Sequence, residues 1–215
     1  MRQRSAMLTA VLALAALGLA VGLAQGGTVN VTFDESQLVN NDQILQFYNG
    51  GTTFLGNGPG PNLGVSFTAN ALVLTQTGGL VGTFTKPGVM LLFNSNAVAG
   101  ESISATMDAQ GGIAGALYFD YAEIDTTGML QIYSGLDGGG TLLTTFNLPV
   151  TSTGTPGVFV ANQVTFSGVA QSVVFTGGNQ QLAFDDLTWS PTPEPSTLGL
   201  LAIGAVALCW KRART

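Results

Sequence analysis

Between Gln25 and Ser190 the chain repeats one pattern, in which short runs of alternating apolar and polar residues are separated by glycine and asparagine. In the first run, Thr28–Asp34, valine or phenylalanine occupies every second position. A period of two is that of a half-buried β-strand, and no stretch here repeats with the helical period of 3.6. A dozen such runs predict an all-β domain, an antiparallel two-sheet sandwich with jelly-roll-like connectivity.

The predicted strands share this alternation and are bounded by turn-forming residues. The most specific prediction is a hairpin, in which the glycine-rich turn at residues 135–140 joins two of the runs. Residues 50–61, rich in glycine and proline, are predicted to form a long exposed loop. The strands are predicted at Thr28–Asp34, Ile44–Tyr48, Gly64–Phe67, Ala71–Gln76, Val89–Phe93, Ser102–Met107, Gly115–Ile124, Met129–Tyr133, Thr141–Leu148, Val158–Phe166, Ser172–Thr176 and Gln181–Trp189.

The charged residues of this region are almost all acidic. Residues 25–190 hold eleven of the twelve acidic residues but only one of the six basic ones, Lys86, so their formal charge is −10. No basic patch exists to neutralise phosphates, which excludes nucleic acid as a partner. The chain has no histidine, and its one cysteine, Cys209, lies outside the region. Disulfides within the domain, catalytic triads, thiol enzymes and the usual zinc sites are therefore excluded.

The first 24 residues predict a secretory signal peptide. Arg2 and Arg4 precede an uncharged stretch, Ala6–Leu23, rich in leucine, alanine and valine. Small residues follow where a signal peptidase requires them, and cleavage is predicted after Ala24. The alternative is an uncleaved membrane anchor, since the apolar stretch approaches spanning length.

The last 25 residues form a tail with three parts. Prolines give a stiff, non-helical spacer at its start, and an apolar run of thirteen residues, Leu198–Trp210, follows. As a helix this run reaches about 20 Å, short of a hydrocarbon core of roughly 30 Å, but basic side chains that snorkel extend it. We predict a membrane helix; a buried amphipathic helix is the alternative. The proline motif is Pro193, Glu194 and Pro195, and the basic stop-transfer cluster is Lys211, Arg212 and Arg214.

This order of parts in residues 191–215 resembles the PEP-CTERM protein-sorting tail of Gram-negative bacteria, with Pro193-Glu194-Pro195 as its motif. Segments such as Gly64-Val65-Ser66-Phe67 and Phe184-Asp185-Asp186-Leu187 resemble exported PEP-CTERM proteins with a sandwich domain. The resemblance implies processing by a signal peptidase and by an exosortase, a membrane-embedded transpeptidase. It also implies a precursor anchored in the inner membrane and a final place in the cell envelope, on the outer surface or in an exopolysaccharide matrix.

Two groups of carboxylates are candidates for chemistry. The first is Asp120, Glu123 and Asp125, which we interpret as solvated residues at a strand end. The alternative is the acid and base of a glycosidase. On a regular strand Asp120 and Glu123 point to opposite faces, so they cannot form that pair alone.

The second group is Asp185 and Asp186 in the last predicted strand. The large apolar residues around them occupy both parities, so one face can hold them all only if a β-bulge intervenes. A carboxylate among apolar groups must be hydrogen-bonded, paired or bound to a cation. We predict backbone hydrogen bonds, with Ca²⁺ as the alternative and Lys86 set aside. Asp34 is a further calcium ligand if the first and last strands lie side by side.

These observations favour a non-enzymatic exported protein that binds or scaffolds in the envelope or matrix. One alternative is a calcium-assisted carbohydrate-binding module, and another is a glycosidase or lyase that works with carboxylates. The tyrosines at 48, 118, 121 and 133 are interpreted first as core residues. An exposed tyrosine on a flat face would favour binding over hydrolysis.

Overall fold

The computed structural model describes residues 27–75 and 84–192, which fold as ten β-strands without a helix. Residues Thr28–Thr192 belong to one compact unit. The predicted signal peptide and tail helix lie outside the described residues. No helix in the described part is long and apolar enough to cross a membrane. The strands are β1 (Val29–Val31), β2 (Asp42–Gln43), β3 (Val65–Phe67), β4 (Ala71–Leu74), β5 (Val89–Leu92), β6 (Ser102–Glu123), β7 (Gly128–Tyr133), β8 (Leu142–Leu148), β9 (Val160–Gly178) and β10 (Leu182–Trp189).

The strands form two antiparallel layers that share their two longest members. In the first layer the order is β3, residues 102–109 of β6, residues 172–178 of β9, β7 and β8. In the second layer it is residues 160–170 of β9, residues 113–123 of β6, β10, β5, β4 and β2, with β1 beside the far end of β10. β6 and β9 therefore pass from one layer into the other, as strands at the corners of packed sheets do.

Glycine permits this bend. The pairing of β6 with β9 shifts register between Asp108 and Ile113, and Gly112 lies there with a φ of +70°. A Cβ at Gly112 would lie 2.9 Å from a side-chain carbon of Val169. Both the left-handed conformation and the close approach favour glycine at this corner.

The main hydrophobic core lies between the two layers, and a smaller buried cluster that includes Leu91, Ala122 and Ala183 lies on the outer face of the second layer. Phe175 of the first layer packs against Phe184 of the second, with ring centroids 4.5 Å apart, and Phe146 meets Phe119 edge to face at 5.8 Å. Inward-facing side chains of both layers belong to one buried cluster. The all-β antiparallel sandwich is thus confirmed, and its jelly-roll-like connectivity stays a prediction.

Several local predictions are also confirmed. β7 and β8 form the expected hairpin, with Leu130 opposite Phe146. The first and last strands lie side by side, with Val29 opposite Trp189. In the last strand, the register with β6 shifts between Asp185 and Thr188, and this bulge lets all the large apolar residues of β10 face the core. Residues 50–61 are irregular and mostly exposed.

The strand predicted at Ile44–Tyr48 is wrong. These residues form turns, in which the Phe47 N–H donates to the Ile44 carbonyl oxygen over 3.1 Å and Leu45 has a positive φ of 45°. A strand would send Phe47 and Tyr48 to opposite faces, whereas the turn buries both of them. Elsewhere, four of the short strands predicted from the sequence belong to two long strands in the structure, because β6 and β9 each continue through a bend.

Candidate functional site

A row of neutral polar side chains crosses the outer face of the second layer. Tyr118 of β6 pairs with Thr188 of β10 on one side and with Gln163 of β9 on the other, and Thr188 pairs with Asn30 of β1. Directly paired residues point to the same face of a sheet, so these four side chains stand in line. Three strand spacings separate its ends, a length of about 14 Å. We call these four residues the Tyr118 row.

The side chains of this row are open to a ligand. Tyr118 is 49% exposed, and Asn30 and Gln163 are exposed as well. The Thr188 hydroxyl donates to the Asn30 carbonyl Oδ1 over 2.9 Å. Within the described residues, the Gln163 amide makes no hydrogen bond, and the Asn30 NH₂ group has no acceptor. The row therefore presents an aromatic ring between amide groups that have free donors and acceptors.

One cation and three carboxylates lie beside the middle of the row, on the same two strands as Tyr118 and Thr188. The Lys86 ammonium is 2.6 Å from the Asp120 carboxylate and 3.4 Å from those of Asp185 and Asp186, and it stands 5.5 Å from the centroid of the Phe159 ring. Asp120 and Asp185 are direct cross-strand partners, so without a cation their charges would repel. We call Lys86 and the three aspartates the Lys86 cluster.

The β10 bulge shapes this cluster. Asp186 has a φ of +52°, and its backbone N–H donates to the Asp185 carboxylate over 2.8 Å. Burial and the charge of Asp186 raise the pKa of Asp185 to about 6, although Lys86 and that N–H oppose the rise. Partial burial alone would lower the pKa of Lys86, but its bonds to Asp120 and Asp185 outweigh burial and raise it. The lysine is therefore charged at every physiological pH.

The predicted calcium ligands occupy two places. Asp185 and Asp186 contact Lys86, which takes the position between carboxylates that a cation would need. Asp34 instead lines a cavity of about 220 Å³ with Glu35 and Gly88. A Cβ at Gly88 would lie 1.8 Å from the Asp34 Oδ1 atom, which leaves room only for glycine. Among residues 27–75 and 84–192 no group of three or more acidic side chains is arranged to hold a metal ion. Calcium binding stays a prediction.

Setting Lys86 aside was wrong, because an ammonium partner for Asp185 is present. Lys86 lies in the segment before β5, 99 positions earlier in the chain, and nothing in the pattern of residues indicates that the two meet. The one indication in the sequence that Lys86 could pair with Asp185 is that it is the sole basic residue of the exported region. Tyr118 was likewise interpreted first as a core residue, although its parity already placed it opposite the buried Phe119.

The interpretation of Glu123 as a solvated residue is wrong as well. Glu123 is fully buried at the end of β6, on the face opposite Asp120. The Thr126 hydroxyl donates to its Oε1 atom, whereas its Oε2 atom has no hydrogen-bond partner. Burial raises the pKa of Glu123 to about 7, with the Thr126 hydroxyl opposing. The expectation that Asp120 and Glu123 point to opposite faces of the strand is confirmed.

The described residues form an all-β sandwich, and the Tyr118 row occupies an exposed part of one of its outer faces. Residues 191–213 match the family model of the PEP-CTERM protein-sorting motif, which confirms the resemblance of the tail. The chain therefore contains a PEP-CTERM sorting motif, and that motif indicates an exported protein that an exosortase processes. Pro193, Glu194, Pro195 and the basic cluster Lys211, Arg212 and Arg214 lie outside the described residues.

Comparison with solved structures gives only distant similarity. A mutant of a family 29 carbohydrate-binding module superposes with a TM-score of 0.40 at 12% identity, over 77% of this chain and 92% of that one. A family 29 module from Piromyces equi superposes with a TM-score of 0.34 at 11% identity, over 60% of this chain and 91% of that one. At these scores the similarity says nothing about a ligand of this chain. No curated protein matches the sequence.

Proposed function

We propose that this chain is a non-enzymatic protein of the cell envelope or extracellular matrix, delivered by its PEP-CTERM tail and associated there with exopolysaccharide. The single observation that carries the proposal is the sorting motif at residues 191–213, which follows a compact all-β domain in the sequence. The tail directs the sorting of the protein, and its predicted membrane helix anchors the precursor in the inner membrane until an exosortase processes it. The domain then acts as a binding or scaffolding element.

The chemistry of the domain supports a role without catalysis. In the Lys86 cluster the ammonium stands between the Asp120 and Asp185 carboxylates, where hydrolysis would need a water or a glycosidic oxygen. Glu123 is fully buried and faces away from that cluster. The alternative is a glycosidase or lyase. Incubation of the protein with the polysaccharide tests it, because either enzyme would release new reducing or unsaturated ends.

The tail is expected to decide where the protein goes without affecting how it folds. Deleting residues 198–215, or replacing Glu194, removes the predicted anchor or the sorting motif but touches none of the described strands. We expect the deletion variant to leave the envelope fraction and the matrix and to appear free in the medium. Its unfolding midpoint should match that of the wild-type exported domain.

Fractionation with mass measurement of the mature protein tests this. Replacement of Glu101, an exposed acidic residue of the domain, by Gln is the matched control and should leave the location unchanged. If the deletion variant has the same location and mature mass as the wild type, the sorting account is wrong. If the wild type is never found with polysaccharide, the matrix account is wrong although sorting holds.

A further inference from the structure

The Tyr118 row is an accessible group of neutral polar side chains on the outer face of the second layer. Tyr118 lies among two exposed amides and a half-buried hydroxyl, and within the described residues the Gln163 amide and the Asn30 NH₂ group make no hydrogen bond. An exposed ring offers an apolar surface, and the amides beside it offer directional hydrogen bonds. This combination suits a ligand with alternating C–H and hydroxyl surfaces, as sugar rings have.

The charge of the residues around the Tyr118 row favours neutral ligands of this kind over acidic ones. The exported region carries a formal charge of −10, and its only basic residue, Lys86, is already bound by three carboxylates. The side chain of Asp186 is 50% exposed next to Thr188, beside the middle of the row, so an anionic polymer would meet like charge there. A neutral polymer would meet none, and its hydroxyl groups can donate to the Asp186 and Asp120 carboxylates.

The length of the Tyr118 row further narrows the class of ligand. The row spans about 14 Å across four strands, and Thr165 extends the exposed polar surface along β9. A single sugar would cover only the ring of Tyr118. A chain of several sugars would reach from Gln163 to Asn30 and use the amides at both ends.

We propose that the Tyr118 row binds a neutral polysaccharide, with one sugar ring stacked on Tyr118 and with the Gln163 and Asn30 amides bonded to hydroxyls on either side. This assignment rests on the proposed association with exopolysaccharide and adds the site and the ligand class. The Lys86 cluster borders the site, fixes the position of Asp120, and excludes acidic chains.

The test is affinity gel electrophoresis of the protein purified from cells that express the full chain. The gels contain hydroxyethylcellulose, dextran or amylose as neutral polymers, alginate as the acidic one, and the neutral and acidic fractions of the producing bacterium's exopolysaccharide. We expect retardation by at least one neutral polymer or by the neutral fraction, and none by alginate. Tyr118→Ala should weaken this binding by more than about tenfold, and Tyr118→Phe should keep most of it, since the ring remains.

Tyr133→Ala, on β7 of the other layer, is the matched control and should bind as the wild type does. Equal unfolding midpoints of the variants would show that Tyr118→Ala still folds. Preference for alginate, equal binding by Tyr118→Ala and wild type, or no retardation by any neutral polymer or fraction would each overturn the assignment. If the protein nevertheless fractionates with the matrix, the proposed function survives and only this site fails.

Discussion

The free energy of unfolding of the exported domain is expected to fall by about 3 kcal/mol as the pH rises from about 4.5 to 7, because of Glu123 alone. Burial raises the pKa of Glu123 in the folded domain from 4.5 to about 7. As the pH rises, Glu123 therefore loses its proton in the unfolded chain before it does so in the folded domain. Between these two pKa values the unfolded state is favoured, because in the folded domain Glu123 must either keep its proton or be ionised while buried. Each unit of pKa difference corresponds to about 1.4 kcal/mol. The stabilisation is complete below about pH 4.5 and is lost by about pH 7.

Chemical denaturation of residues 25–192 at a series of pH values measures this. Glu123→Gln removes the titrating group and is expected to be more stable than the wild type by about 2–3 kcal/mol at pH 8, and nearly equal to it at pH 4. Part of the slope remains in that variant because the pKa of Asp185 is also raised, to about 6. Glu101→Gln, the same change at an exposed position, should keep the wild-type pH profile. An unchanged profile in Glu123→Gln would contradict the burial of this carboxylate.

Replacing Lys86 by Met is expected to destabilise the domain by about 1–2 kcal/mol at pH 7. The substitution leaves Asp120 and Asp185 facing each other across two strands without a cation, beside Asp186. Breaking a fully buried ion pair costs about 3–5 kcal/mol, but the Lys86 side chain is 37% exposed, so solvent reduces the loss. The loss should shrink as the pH falls below about 6, the raised pKa of Asp185, because a protonated Asp185 no longer repels Asp120.

Thermal unfolding of the wild type, Lys86→Met and the double variant Lys86→Met/Asp120→Asn measures the coupling. The double variant should recover part of the lost stability, since one of the facing charges is gone. Runs in EDTA and in millimolar Ca²⁺ test the calcium prediction on the same samples. If calcium binds at Asp185 and Asp186, it should raise the midpoint of Lys86→Met more than that of the wild type, because no ammonium competes. Full stability of Lys86→Met at pH 7 would contradict the role given to the cluster.

Local patterns were sufficient to predict most of the strands and two of their local features. The mixed parity of apolar residues around Asp185 and Asp186 indicated that one face could bury them all only with a bulge, and β10 has this bulge. The glycine-rich turn predicted the β7–β8 hairpin. Both features depend on residues a few positions apart, and short-range geometry decides them.

Features that depend on distant parts of the chain could not be predicted. The sequence does not indicate that Lys86 meets Asp185, or that β6 and β9 continue through their bends into a second layer. Ile44–Tyr48 had the composition of a strand, but tertiary packing buries both Phe47 and Tyr48 and selects turns instead. Parity placed Glu123 on the core side, yet only the surrounding loops decide whether a strand end is covered.

The most direct test of the account is to map where a neutral polysaccharide touches the domain. Soluble oligosaccharides of the polymer that binds best are titrated into isotopically labelled residues 25–192, and amide chemical shifts are followed by nuclear magnetic resonance. The account predicts the largest changes at Tyr118, Gln163 and Thr188, with none on the hairpin of β7 and β8. Changes confined to that hairpin or to the loop at residues 50–61, with the Tyr118 row unaffected, would contradict it.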